Sequence, residues 1–176
     1  MTTPYVDPQT IHNPATGTSP PASWGDTIRD DLEFLINPPM VRVNCSTGNT
    51  SVPSASFTIL PFSGTVDYDT DSFKTSTTQF TVPAGLGGKY HIMAHYATGT
   101  SGASTKAVAI QVNGSRITQN LRNSTGASEQ QIMVMTDYAL TAGDVVSIHG
   151  YQNSGSPENW PQRSSIAFFS MRWVSR

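Results

Sequence analysis

The sequence predicts an all-β fold, an antiparallel sandwich or barrel, preceded by an extended N-terminal arm and one short α-helix. Three observations predict it. Thr and Ser supply 22 and 21 of the 176 residues, and 14 Gly and 12 Pro accompany them, a composition that favours strands and turns. Seven of the 12 prolines fall within residues 1–39, so the chain changes character near residue 40. Beyond that point, apolar-rich runs of strand length alternate with turn residues, and no helical pattern intervenes.

Residues 1–39 divide into arm and helix. Pro4, Pro8, Pro14, Pro20 and Pro21 punctuate residues 1–22, which show no periodicity. Proline blocks helix and sheet pairing alike, so this stretch reads as extended chain whose order comes from a partner. Ser23 is a good N-cap, with Asp26 three residues on. Trp24, Ile28, Leu32 and Leu35 or Ile36 then recur at helical spacing as one apolar stripe. Asn37-Pro38-Pro39 ends the helix, because a residue before proline avoids helical angles. So short a helix is marginal alone, and its stripe must pack on its own domain, a sister subunit or a larger assembly. Tyr5, Val6 and Ile11 of the arm, with Trp24, Ile28, Leu32 and Leu35, are the candidate docking residues.

Residues 40–176 form the second domain. Strands are expected at 40–44, 56–61, 64–68, 79–82, 89–97, 106–112, 116–122, 130–139, 144–151 and 165–174. Asn113-Gly114, between two alternating runs, is the strongest hairpin signal. Gly85-Leu-Gly87-Gly88, Ala142-Gly143-Asp144 and Ser154-Gly155-Ser156-Pro157 mark other turns.

Charge and cysteine content exclude several functions. The chain carries a net charge of −2, and only 12% of its residues are charged. Such a chain is a poor nucleic-acid binder, since phosphate backbones need clustered cations. One Cys excludes an internal disulfide framework and any multi-thiolate metal site. No run approaches the roughly 20 apolar residues of a membrane span. Nor does the N-terminus show the basic patch and apolar run of a secretory signal. No nucleic-acid or membrane partner is therefore expected.

No constellation carries catalysis, so neither enzyme activity nor a cofactor is expected. His91 and His95 share one face of a strand, roughly 13 Å apart, too far to hold one metal together. In an oligomer they could approach their symmetry mates and confer sensitivity to pH or metal. Asp67, Asp69 and Asp71 superficially match a calcium loop, but Ser72 replaces its glycine and Thr78 its closing glutamate; a polar strand end is the other reading. Cys45 has no basic neighbour in sequence and reads as a small buried hydrophobe. Trp160 lies in an expected loop, where it either anchors that loop or contacts a sugar or partner protein.

Three blocks carry a resemblance. Phe80-Thr-Val-Pro83 followed by Gly88-Lys-Tyr90-His-Ile92, then Leu140-Thr-Ala-Gly143-Asp144-Val-Val146, then Ser164-Ser-Ile-Ala-Phe168-Phe-Ser-Met171 resemble signatures of the tumour necrosis factor and complement-globular-head superfamily. The last block departs from the pattern, since Phe169 or Ser170 replaces a glycine. The resemblance spans residues 40–174 and implies a jelly roll that assembles as a homotrimer. It also implies that Tyr90, Ile92, Phe168, Phe169, Met171 and Trp173 face the neighbouring subunits. The closing strand carries bulky residues on both faces, which fits that intersubunit role; a central strand buried within one subunit is the other reading.

Ser51-Val-Pro53, Phe57-Thr-Ile-Leu60-Pro-Phe62 and Tyr68-Asp-Thr-Asp71-Ser-Phe73 resemble the opening of jelly rolls in tailed-bacteriophage virion proteins. The helical segment from Pro21 through Trp24 to Leu35 is similar to N-terminal segments of phage tail, fibre and head-attached proteins. This resemblance implies a trimeric capsid decoration protein, docked by its arm onto the major capsid or another virion protein. It would be made in the host cytoplasm and carried on the particle exterior. A tail-fibre or receptor-binding module, with loops 99–104 and 154–161 contacting host glycans or proteins, is the alternative.

Overall fold

The computed structural model describes residues 22–100 and 102–175. The chain divides at Pro39/Met40 into two units. The first contains α1 (Ala22–Ile36), 15 residues long. Ser23 therefore lies inside the first turn rather than before it, a two-residue offset of the kind common at helix ends. Arg29 Nη1 lies 3.0 Å from Asp26 Oδ1 across one turn, with both side chains exposed. Such a pair contributes little to stability. Leu32, Leu35 and Ile36 of the apolar stripe are exposed by 52%, 67% and 81%.

The second unit is built from strands. In chain order they are β1 (Met40–Asn44), β2 (Gly48–Val52), β3 (Thr58–Ile59), β4 (Val66–Asp69), β5 (Phe80–Thr81) and β6 (Gly88–Ala97). Then come β7 (Ser104–Val112), β8 (Ser115–Ser124), β9 (Gln131–Leu140), β10 (Val145–Gln152), β11 (Glu158–Gln162) and β12 (Phe168–Ser175). A five-stranded sheet has the order β4-β1-β12-β6-β9. A second has β3-β10-β7-β8, with β5 also paired to β10. All of these strand pairings are antiparallel. The first strand pairs with the last, Val43 opposite Phe169, so the sandwich closes late in the sequence. This is the expected jelly-roll sandwich.

The two sheets share one core. Val41, Val43, Tyr90, Ile92, Ala94, Phe169 and Met171 of the first sheet are buried with Val108, Ile110, Val146 and Ile148 of the second. Aromatic rings fill the centre. Phe80 stacks on Phe169 with centroids 3.9 Å apart, and Phe62 meets Tyr96 edge-on at 5.8 Å. Offset stacks and edge contacts of this kind suit the ring quadrupole.

Turn chemistry fixes the register of the β7–β8 hairpin. Asn113 and Gly114 take φ values of 50° and 78°, the pair of positive angles that a two-residue hairpin turn requires. Asn113 also ties the hairpin to β10. Its Oδ1 accepts from Val145 N at 2.9 Å, and its Nδ2 donates to Asp144 Oδ1 at 2.7 Å.

Each of the ten expected strand segments overlaps an observed strand, but β2 and β11 were not expected. They pair with each other, Trp160 opposite Thr50. Trp160 is thus a strand residue with no exposed surface, which corrects its placement in a loop. Gly150 makes room for it, since a Cβ there would stand 2.8 Å from Trp160 Cζ3. Beside it sits a buried ion pair. Lys106 Nζ lies 2.9 Å from Glu158 Oε1 and also donates to the Gly99 carbonyl, while Trp160 Nε1 donates to Glu158 Oε2 at 2.8 Å. A buried charge persists only when paired and hydrogen-bonded in this way.

Candidate subunit interface

One face of the five-stranded sheet is spent on the core, and strand alternation decides what the other face presents. Outward-facing residues fall in rows across the strands. One row runs Met135, Met93, Ser170, Arg42, Tyr68 from β9 to β4. The row beside it runs Met133, His95, Phe168, Asn44. Met133, Met135 and Tyr68 are 38%, 52% and 40% exposed. The sheet therefore turns three thioethers and two rings, interspersed with polar groups, away from its own core. Met adapts its shape readily, and such patches are typical of interaction surfaces.

Several polar groups on this face are hydrogen-bonded in place. Arg42 Nε donates to Asp67 Oδ2 at 3.0 Å, and Asn44 Nδ2 donates to Asp67 Oδ1 at 2.9 Å. The Arg42 guanidinium lies over the Phe168 ring. His91 Nδ1 meets Asp137 Oδ1 at 2.7 Å, and His95 Nδ1 donates to the Ile166 carbonyl at 2.6 Å. The two histidines share the outward face but engage different partners. Paired charges carry a smaller desolvation penalty than free ones when a face is covered.

The expected interface residues divide by strand parity. Tyr90, Ile92, Phe169 and Met171 are 0%, 0%, 0% and 1% exposed. They face the second sheet and form the core of a single subunit, which corrects their assignment to a subunit contact. Trp173 is partly buried against that core. Phe168 faces outward, between His95 and Asn44. Sequence reasoning missed Met93, Met133, Met135, Arg42 and Tyr68. Their alternation with buried residues on β6 and β9 was the available signal.

The docking residues belong to the other unit. Tyr5, Val6 and Ile11 lie outside the described residues, as does the side chain of Trp24. Ile28, Leu32 and Leu35 lie along α1 as expected.

The remaining candidates are committed to structure. Asp69 accepts from Phe73 N at 2.8 Å and Lys74 N at 3.0 Å, while Asp67 is held by Arg42 and Asn44. Asp71 accepts from Thr70 Oγ1 at 2.7 Å. No group of three or more metal-ligating side chains forms among the described residues. Burial pushes the Cys45 thiol up to about 12, so it stays a protonated, inert hydrophobe. Burial likewise raises the Tyr90 and Tyr96 hydroxyls above their ordinary range. Segment 154–161 is not a free loop, because it runs into β11, where Glu158 and Trp160 are buried.

No protein-family model matches the chain, and no curated protein matches it. Solved structures do. Eiger TNF from S. frugiperda is 10% identical, with a TM-score of 0.61 over 78% of this chain and 92% of that one. The globular domain of zebrafish complement 1qA protein is 16% identical, with a TM-score of 0.59 over 78% and 98%. Murine APRIL at pH 5.0 is 8% identical, with a TM-score of 0.58 over 77% and 98%. At these identities the likeness is one of fold: residues 40–175 adopt the jelly roll that tumour necrosis factor and the complement globular head also adopt.

Proposed function

We propose that this chain is a non-enzymatic, homotrimeric structural module. Three copies pack the outward faces of their five-stranded sheets around a threefold axis. The observation that carries this reading is the row Met135, Met93, Ser170, Arg42, Tyr68, which sets two thioethers and a ring beside a cation already paired with Asp67. Five strands about 4.8 Å apart and about eight residues long give a face on the order of 600 Å², near the roughly 800 Å² per partner of a standard interface. Cyclic closure then leaves no copy of this face uncovered.

The finer reading is a tailed-bacteriophage capsid decoration protein on the particle exterior, made in the host cytoplasm. The N-terminal segment docks it onto the major capsid protein or another virion protein. Support comes from the resemblance of that segment to head-attached and tail proteins. It comes also from α1, whose apolar stripe is 52% exposed at Leu32 and 67% at Leu35. Three tethers per trimer multiply avidity without tight individual contacts. Quantifying the protein in purified virions tests this. Hundreds of copies per particle are expected; a handful overturns decoration in favour of a tail component. An open groove on the second sheet favours the receptor-binding alternative.

A further inference from the structure

The outward face of the second sheet holds a groove of about 320 Å³, at the small end of the roughly 300–1,000 Å³ typical of ligand clefts. Register explains why it exists. Ala107 of β7 stands between Tyr151 of β10 and Leu121 of β8, so a small side chain lies between two large ones. Ala107 is fully buried and forms the floor. Phe57 and Tyr151 make one wall, their ring centroids 5.0 Å apart and tilted by 34°. Gln119 and Leu121 line the groove from β8.

Its polar groups are placed and partly uncommitted. Arg116 stacks its guanidinium 4.6 Å over the Phe57 ring. Stacking holds the guanidinium flat and leaves its N–H edge able to donate. Asn153 Oδ1 accepts from Thr105 N at 2.7 Å, which orients the amide and leaves Nδ2 as a donor. Among the described residues no carboxylate lines the groove, and Arg116 is its one charge.

We propose that this groove binds an acidic sugar, a uronic- or sialic-type residue of a glycan, with its carboxylate on Arg116. A pyranose presents an apolar C–H face to an aromatic wall and hydroxyls to amide groups. A planar carboxylate matches the forked guanidinium, and one cation balances its single charge. The groove lies on the sheet opposite the proposed trimer contact. It stays open in monomer and trimer alike, so the site does not depend on the virion reading.

Saturation-transfer NMR on the full chain tests the site. The probes are the methyl glycosides of glucuronic acid and N-acetylneuraminic acid, with methyl glucoside and methyl galactoside as neutral controls. Transfer to an acidic probe at millimolar concentration is expected, weakening as salt rises. Arg116→Gln and Tyr151→Ala should each reduce it at least tenfold while far-UV circular dichroism and melting temperature stay unchanged. No transfer to either acidic probe, equal transfer to neutral ones, or undiminished binding in Arg116→Gln would overturn the proposal. Sedimentation of the same samples reads the trimer independently, so the two ideas fail separately.

Discussion

The guanidinium of Arg42 lies 4.0 Å above the ring centroid of Phe168. The pair joins neighbouring strands β1 and β12 on the outward face of the five-stranded sheet. Asp67 holds the same Arg42 at 3.0 Å, so cation, ring and carboxylate form one unit at the surface. That cation therefore meets a partner already paired, beside the thioethers of Met93 and Met135.

A charge placed in that surface should block assembly and spare the fold. Met135 is 52% exposed, so Met135→Glu has little native packing to lose. The variant should sediment as a monomer with an unchanged melting transition when diluted to where wild type also dissociates. A trimer of normal strength would remove this face from the interface.

Core truncation should act differently. Phe169→Ala removes the stack on Phe80 and should cost about 3–5 kcal/mol of stability, as large-to-small changes in close-packed cores do. Urea unfolding reads the loss. A cost under about 1 kcal/mol would mean that Phe169 does not pack where it is placed.

The buried ion pair predicts strong coupling. Lys106→Met leaves the Glu158 carboxylate buried without its cation, at a cost of about 3–5 kcal/mol. Lys106→Met combined with Glu158→Gln should recover part of that loss, since Gln keeps an acceptor for Trp160 Nε1. Additive costs in this double-mutant cycle would contradict the pairing.

Strand existence and hairpin chemistry were legible because they are local. Asn113-Gly114 permits one tight turn, and the alternation flanking it sets two strands. Face was not legible where both faces are apolar. Phe168 and Phe169 are equally bulky, and only the observed register turns one out and the other in. On β6 the alternation is plain, with Lys89, His91, Met93 and His95 on one face; the resemblance, rather than that pattern, assigns Tyr90 and Ile92 to the interface. Strands β2 and β11 escaped notice because Gly48-Asn-Thr-Ser is polar and Pro161 argues against a strand. Pro161 is tolerated because β11 belongs to a sheet of only two strands. The groove was illegible too, because it depends on Tyr151, Ala107 and Leu121 from three strands meeting in one row.

Stability should fall on the acid side in two steps. Burial lowers the His149 pKa below its usual 6.5. The folded state therefore resists a proton that the unfolded chain takes up, and stability is lost as pH falls from about 6.5 toward the lower folded value. Hydrogen bonds from the Thr141 backbone and Asn113 hold Asp144 below its usual 3.8. Its contribution is full above 3.8 and disappears as pH falls through the folded value. Melting temperature against pH should show both steps, with His149→Gln removing the first and Asp144→Asn the second. An unaltered profile in either variant would contradict that assignment.

Sedimentation equilibrium of the full chain at micromolar concentration and neutral pH tests the trimer most directly. A single species of three times the 18.9 kDa chain mass is expected. A monomer of 18.9 kDa across the whole accessible concentration range would contradict it.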